Sequence, residues 1–150
     1  MSLSAAVVTR WDAAGLNTSV AELYRANPGM ADFGAMPEDI ATSGLPRAEF
    51  FILDDSPAVH TVGYRIRRAT LTFRVYHTGA ATLETLLTSI EDKFDNAENA
   101  ATSPMSLSAS FGELLCVEFQ SRELHPVDEG IFMGSLDFSI HWQKSRITPS

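Results

Sequence analysis

The sequence predicts an α+β fold: a mostly antiparallel four-stranded sheet with two helices packed on one face. The order is α-β-β-α-β-β, with a long loop after the first helix. Three observations carry this. Two segments repeat their apolar residues at helical spacing, four segments read as strands, and the helices are too few to alternate with each strand. At 150 residues the chain is one domain long, enough to bury a core without metals or disulfides. Hydrophobic residues make up 45% and charged residues 20%, which is ordinary globular usage and excludes wholesale disorder.

Ser2 to Gly15 is expected to be helical. Leu3, Ala6, Val7, Arg10, Trp11 and Ala14 recur at spacings of three and four, and Gly15 is a C-terminal stop. Val20 to Ala26 is a shorter piece, helical or extended. Residues 27–46 then hold Pro28, Gly29, Gly34, Pro37, Gly44 and Pro46 without a period. This stretch reads either as a surface loop or as an arm ordered against a neighbouring subunit. Met30, Phe33 and Met36, with Ile40, are the anchors such an arm would use. Arg47 to Asp54 is a strand whose run Phe50-Phe51-Ile52-Leu53 suits cover on both faces. Asp54-Asp55-Ser56-Pro57 should end it.

Gly63 to His77 is the clearest strand, with Ala69, Leu71, Phe73 and Val75 alternating with Thr70, Thr72, Arg74 and Tyr76. From Tyr64 to Tyr76 it spans about 43 Å at ~3.3 Å per residue. That exceeds the size of a compact body, so the strand should bend, bulge or project. Ala80 to Asn96 is an amphipathic helix burying Leu83, Leu86, Leu87, Ile90 and Phe94. Ala97 to Ser110 reads as a loop. Leu114 to Leu124 and Ile131 to Trp142 are the last two strands, joined by a turn from His125 to Gly130.

The chemistry of the chain is read by exclusion. There are 19 acidic against 11 basic residues, a formal charge of −8 and a pI near 4.8. That argues against a protein that holds nucleic acid by neutralising phosphates. It argues equally against a polybasic membrane anchor, and no apolar run is long enough to span a bilayer. The start, Met1 to Ala6, has no basic residue before its apolar ones, so no signal peptide is expected. A single cysteine, Cys116, allows no internal disulfide and suits a reducing compartment. No nucleophile elbow, Walker loop, H-E-x-x-H, C-x-x-C or EF-hand loop is present. His60, His77, His125 and His141 lack metal-pair spacing, and Cys116 lies between Leu115 and Val117 as small strand packing. No catalytic residue, cofactor site or metal site is expected, and the chain is not read as an enzyme.

The charge is distributed unevenly. Residues 63–78 carry Arg65, Arg67, Arg68 and Arg74 and no acid, whereas the segments on either side are net acidic. Two readings stay open for this basic strand. It pairs across its own sheet with acids such as Glu118 or Asp137. Or Arg65, Arg67, Arg68 and Arg74 form a subunit interface with another copy, where arginine's planar fork suits carboxylates. A head-to-tail contact of that kind closes into a ring when its rotation permits.

Three stretches resemble the tail terminator (tail completion) proteins of long-tailed bacteriophages and gene transfer agents. They are the opening helix to Leu16, the strands Leu45 to Phe51 and Tyr64 to Tyr76, and the closing Gly130-Ile131-Phe132-Met133-Gly134-Ser135-Leu136-Asp137-Phe138-Ser139-Ile140. The resemblance implies a structural virion protein at the neck, assembled in the host cytoplasm. Such proteins form hexameric rings that cap the tail tube and stop its polymerisation. They join the tail to the head-side connector, with DNA passing through the lumen. Its partners would be other copies of itself, the tail tube protein and connector proteins, without a membrane. A connector, a tube subunit and, from another class, a small ligand-binding or enzymatic α+β domain are the alternatives.

Overall fold

The computed structural model describes residues 3–20, 23–25, 46–60, 64–95, 113–128 and 130–145. Helix α1 is Leu3–Ala13 and α2 is Ala80–Phe94. Five strands form one sheet: β1 (Leu23–Arg25), β2 (Arg47–His60), β3 (Tyr64–His77), β4 (Glu113–Asp128) and β5 (Ile131–Ser145). Their spatial order is β1-β2-β3-β5-β4. The fold is therefore mixed α+β with two helices, as the patterning predicts, but with five strands in place of four. The additional strand, β1, pairs parallel to β2, Leu23 opposite Ala48 and Arg25 opposite Phe50. The remaining pairings are antiparallel. Three residues are too few to show a period, so this strand was legible only as an undecided segment.

Both helices lie on one face. Along β3 the residues Ala69, Leu71, Phe73 and Val75 are fully buried beneath them. Phe73 sits at the centre of an aromatic cluster. Its ring centroid is 4.9 Å from Phe94, 5.7 Å from Trp11 and 5.9 Å from Phe138, the last edge-on. Such geometries add to the area term by aligning ring edges with ring faces. Helix α2 buries Leu83, Leu86, Leu87, Ile90 and Phe94, the five residues its sequence period selects. Helix α1 contributes Ala6, Val7 and Trp11 to the same cluster. Arg10 Nε donates to the Lys93 carbonyl at 3.0 Å, tying α1 to the last turn of α2. Gly15 closes α1 at φ +79, a conformation a side chain resists.

The two central strands pair without a shift from Tyr64 opposite Ser145 to His77 opposite Phe132. Irregularity falls on the strands flanking that pair. Strand β2 shifts register between Asp54 and Pro57 and again before Val59. It thus continues past the expected stop at Asp54-Asp55-Ser56-Pro57 and reaches His60. Proline is tolerated there because it sits at a bulge, beyond the rungs that β1 covers. Strand β4, at the sheet's edge, shifts at Leu114/Cys116, Phe119/Ser121 and Pro126/Asp128. It and β5 run on to Asp128 and Ser145, so the turn is shorter than His125 to Gly130. The expected loops over 27–45 and 97–110 lie outside the described residues. No helix among those described is long and apolar enough to cross a membrane.

Candidate interaction surface

Alternation along β3 divides the basic strand between the two faces of the sheet. Arg67 falls on the helix side, opposite Trp142, with its guanidinium carbon 5.9 Å from the indole centroid. Arg68 and Arg74 fall on the other face, Arg68 exposed and Arg74 half-buried. Arg65 is opposite Lys144 in the β3–β5 register. The alternation therefore places Arg67 and Arg68 on opposite faces of the sheet. Met30, Phe33 and Met36, the expected anchors of an arm, lie outside the described residues.

Arg74 belongs to a packed polar cluster on the face away from the helices. Glu49 is directly opposite it on β2, and the Arg74 guanidinium carbon sits 5.2 Å from the Phe51 ring centre. Arg47 lies over the Tyr24 ring at 4.0 Å, which clasps the short β1 to the sheet. Arg47, Glu49, Phe51, Thr72 and Tyr76 are all buried. Burial, followed by the Glu49 charge, pushes the Tyr76 phenol up to about 12, against Arg74 and Arg47, which pull it down. Within this cluster Glu49 is the acid that stands across the ladder from Arg74. Asp137 is occupied otherwise. Its carboxylate accepts the Thr72 hydroxyl at 2.6 Å and the Ser121 hydroxyl at 2.9 Å, a row across three strands.

Further along the sheet the register gathers a second group. Arg65, Arg67 and Arg68 of β3 and Lys144 of β5 occupy the end at Tyr64 and Ser145. In the ladder Glu113 is opposite Gln143, and Asp54 of β2 is opposite Ala69, one residue from Arg68. Lys144 was missed from sequence because the alternation of β5 was followed only to Trp142. The available signal was the length of β3, which needs an equally long partner. Among the described residues no three His, Cys, Asp or Glu side chains converge as a metal site requires.

Acids are exposed on α2 (Glu84 and Asp92, with Glu91 half-buried) and on β4 (Glu118 and Glu123, opposite Ser139 and Ser135 on the face away from the helices). Arg122 is committed to α2: it donates to the Thr88 hydroxyl at 3.0 Å and to the Glu84 carbonyl at 3.1 Å. Asp95, just past α2, accepts the backbone N–H of Phe119 at 3.2 Å and so covers part of the sheet edge.

No protein-family model matches the chain, and no curated protein does. Among solved structures, a chain in the virion of a native gene transfer agent particle is similar, with a TM-score of 0.64 and 18% sequence identity. The similarity covers 94% of this chain and 94% of that one. The two chains thus share a fold from end to end.

Proposed function

We propose that the chain is a structural virion protein that acts by assembly and not by catalysis, and specifically a tail terminator. In this role copies join into a ring, hexameric by the resemblance, that caps the tail tube and joins it to the head-side connector. The observation that carries the reading is the end-to-end fold likeness to a chain of a gene transfer agent virion. The charge supports it. Six copies at −8 each give a ring of −48, and an acidic lumen repels DNA and lets it slide where a basic one retains it.

The test removes the gene from a particle-producing strain and images the particles. The expected result is tubes of uncontrolled length without heads, restored to normal by the gene in trans. Absence of any tube would instead identify a tube subunit, and tubes of normal length without heads a connector. Particles of normal form without the gene would overturn the virion reading altogether.

A further inference from the structure

We propose that the connection from β1 to β2, residues 26–45, crosses the sheet on the face away from the helices and seats its apolar residues on Phe51, Thr72 and Tyr76. The inference stands apart from the assembly reading. The connection itself lies outside the described residues, but the surface it would cover does not. Tyr76 is 1% exposed, and Phe51, Thr72, Arg47 and Glu49 are no more than 8% exposed. Their ladder positions put them on the face opposite Leu71, Phe73 and Val75, which the helices cover. Among the described residues no element lies over that face. Arg74 stands beside the Phe51 ring and Arg47 beside the Tyr24 ring, which screens the flanks of the cluster and not its top. The same face changes character toward its other edge. Ser135, Asp137 and Ser139 of β5 are half-buried, and Glu118, Ser121 and Glu123 of β4 are exposed. A face left to water along its whole width would be open throughout, as that half is. The buried half is the one next to the connection.

Chain handedness selects the same face. Strands β3 and β4 are parallel to each other, since each is antiparallel to β5, and α2 joins them across the helix side. Crossovers between parallel strands of one sheet are right-handed almost without exception. Seen from the helix side with β3 pointing up, β4 therefore lies to the right, and β2 and β1 lie to the left. Strands β1 and β2 are parallel to each other and opposed to β3. Turned in the plane until they point up, β2 stands to the left of β1, so a crossover on the helix side would be left-handed. The right-handed path runs over the other face. The helix side is in any case filled there by α1, whose Trp11 packs on Phe73 beside Phe50. Arg25 is level with Phe50, three residues past Arg47, so the chain has only about 10 Å to regain at ~3.3 Å per residue. Residues 26–45 are far more than that return needs. They hold Met30, Phe33, Met36 and Ile40, which suit aromatic rings. They also hold Asp32, Glu38 and Asp39 and no basic residue, which suits a surface with Arg47 and Arg74 against Glu49.

The test places photoreactive benzoylphenylalanine at Phe33, and separately at Met36, in the full-length chain, and maps the cross-links by mass spectrometry. The expected result is attachment to residues 47–51 or 72–76 within one chain. An equal mixture of isotope-labelled and unlabelled chains identifies the donor. Cross-links between labelled and unlabelled chains would assign the cover to a second copy and overturn the proposal. So would attachment to α1 or α2, or no cross-link from either position. Nitration of Tyr76, followed on its own peptide, gives an independent readout. It should be slow in wild type and several-fold faster when Met30→Ser, Phe33→Ser and Met36→Ser are combined, with circular dichroism unchanged. An equally slow Tyr76 in that variant would show that other residues bury it, and the proposal would fall.

Discussion

At the scale of the residue, Tyr76 shows how one environment fixes the behaviour of one group. Its phenol is buried, faces Glu49 and is steadied by Arg74 and Arg47, and the net result is a pKa of about 12 against an ordinary 10.0. The folded state therefore holds its proton where the unfolded chain has lost it. The stabilisation is fully present below pH 10 and is lost as pH rises through about 12. Spectroscopic titration should show a tyrosine that ionises well above the ordinary phenol value. Replacement by phenylalanine should remove that late step. If no late step is seen, the cluster is not closed to water. Its members were only partly legible in sequence. Arg74 and Tyr76 were visible as the outward positions of a strand, but nothing local announces that Glu49 and Arg47 stand opposite them. That pairing comes from the β2–β3 register.

At the scale of the element, the contact of α2 with β5 turns on a missing side chain. A Cβ at Gly134 would collide with the terminal methyls of Leu87, lying 2.8 Å from Cδ2. Leu87 is fully buried, so it has little room to yield. Gly134→Ala should cost about 1–3 kcal/mol by denaturant unfolding, the usual range for overpacking. Leu87→Ala leaves a cavity of its own, so the double variant should lose less than the sum of the two. Strict additivity would mean that α2 does not pack as described. The helices themselves were readable, because a period of 3.6 over fifteen residues marks the buried face without ambiguity. The ends of the strands were not. Turn residues such as Asp54-Asp55-Ser56-Pro57 signal a stop, yet a bulge accommodates them when a long partner continues alongside. The same lengthening produced the Arg65–Lys144 juxtaposition, which no residue near Arg65 foreshadows.

At the scale of the whole molecule, the chain is net acidic, with four of its eleven basic residues in one strand, and the fold places those four differently. Arg74 is absorbed into the polar cluster, while Arg65, Arg67 and Arg68 stand with Lys144 at the end of the sheet. Under the proposed assembly, the joined state gains stability by mass action. The thermal midpoint should therefore rise with protein concentration at low salt, and this dependence should flatten as salt screens the contact. A midpoint independent of concentration across the range in which copies associate would show that the joined surfaces add nothing to folding.

The edge of the sheet carries a consequence for how such subunits meet. Strand β4 shifts register three times, and its Phe119 amide is already held by Asp95. An edge so interrupted offers no continuous ladder for another strand to extend. Under the proposed assembly, copies meeting at this edge are thereby steered away from fibre growth and left with side-chain contacts, which let a misplaced subunit leave before the structure is sealed.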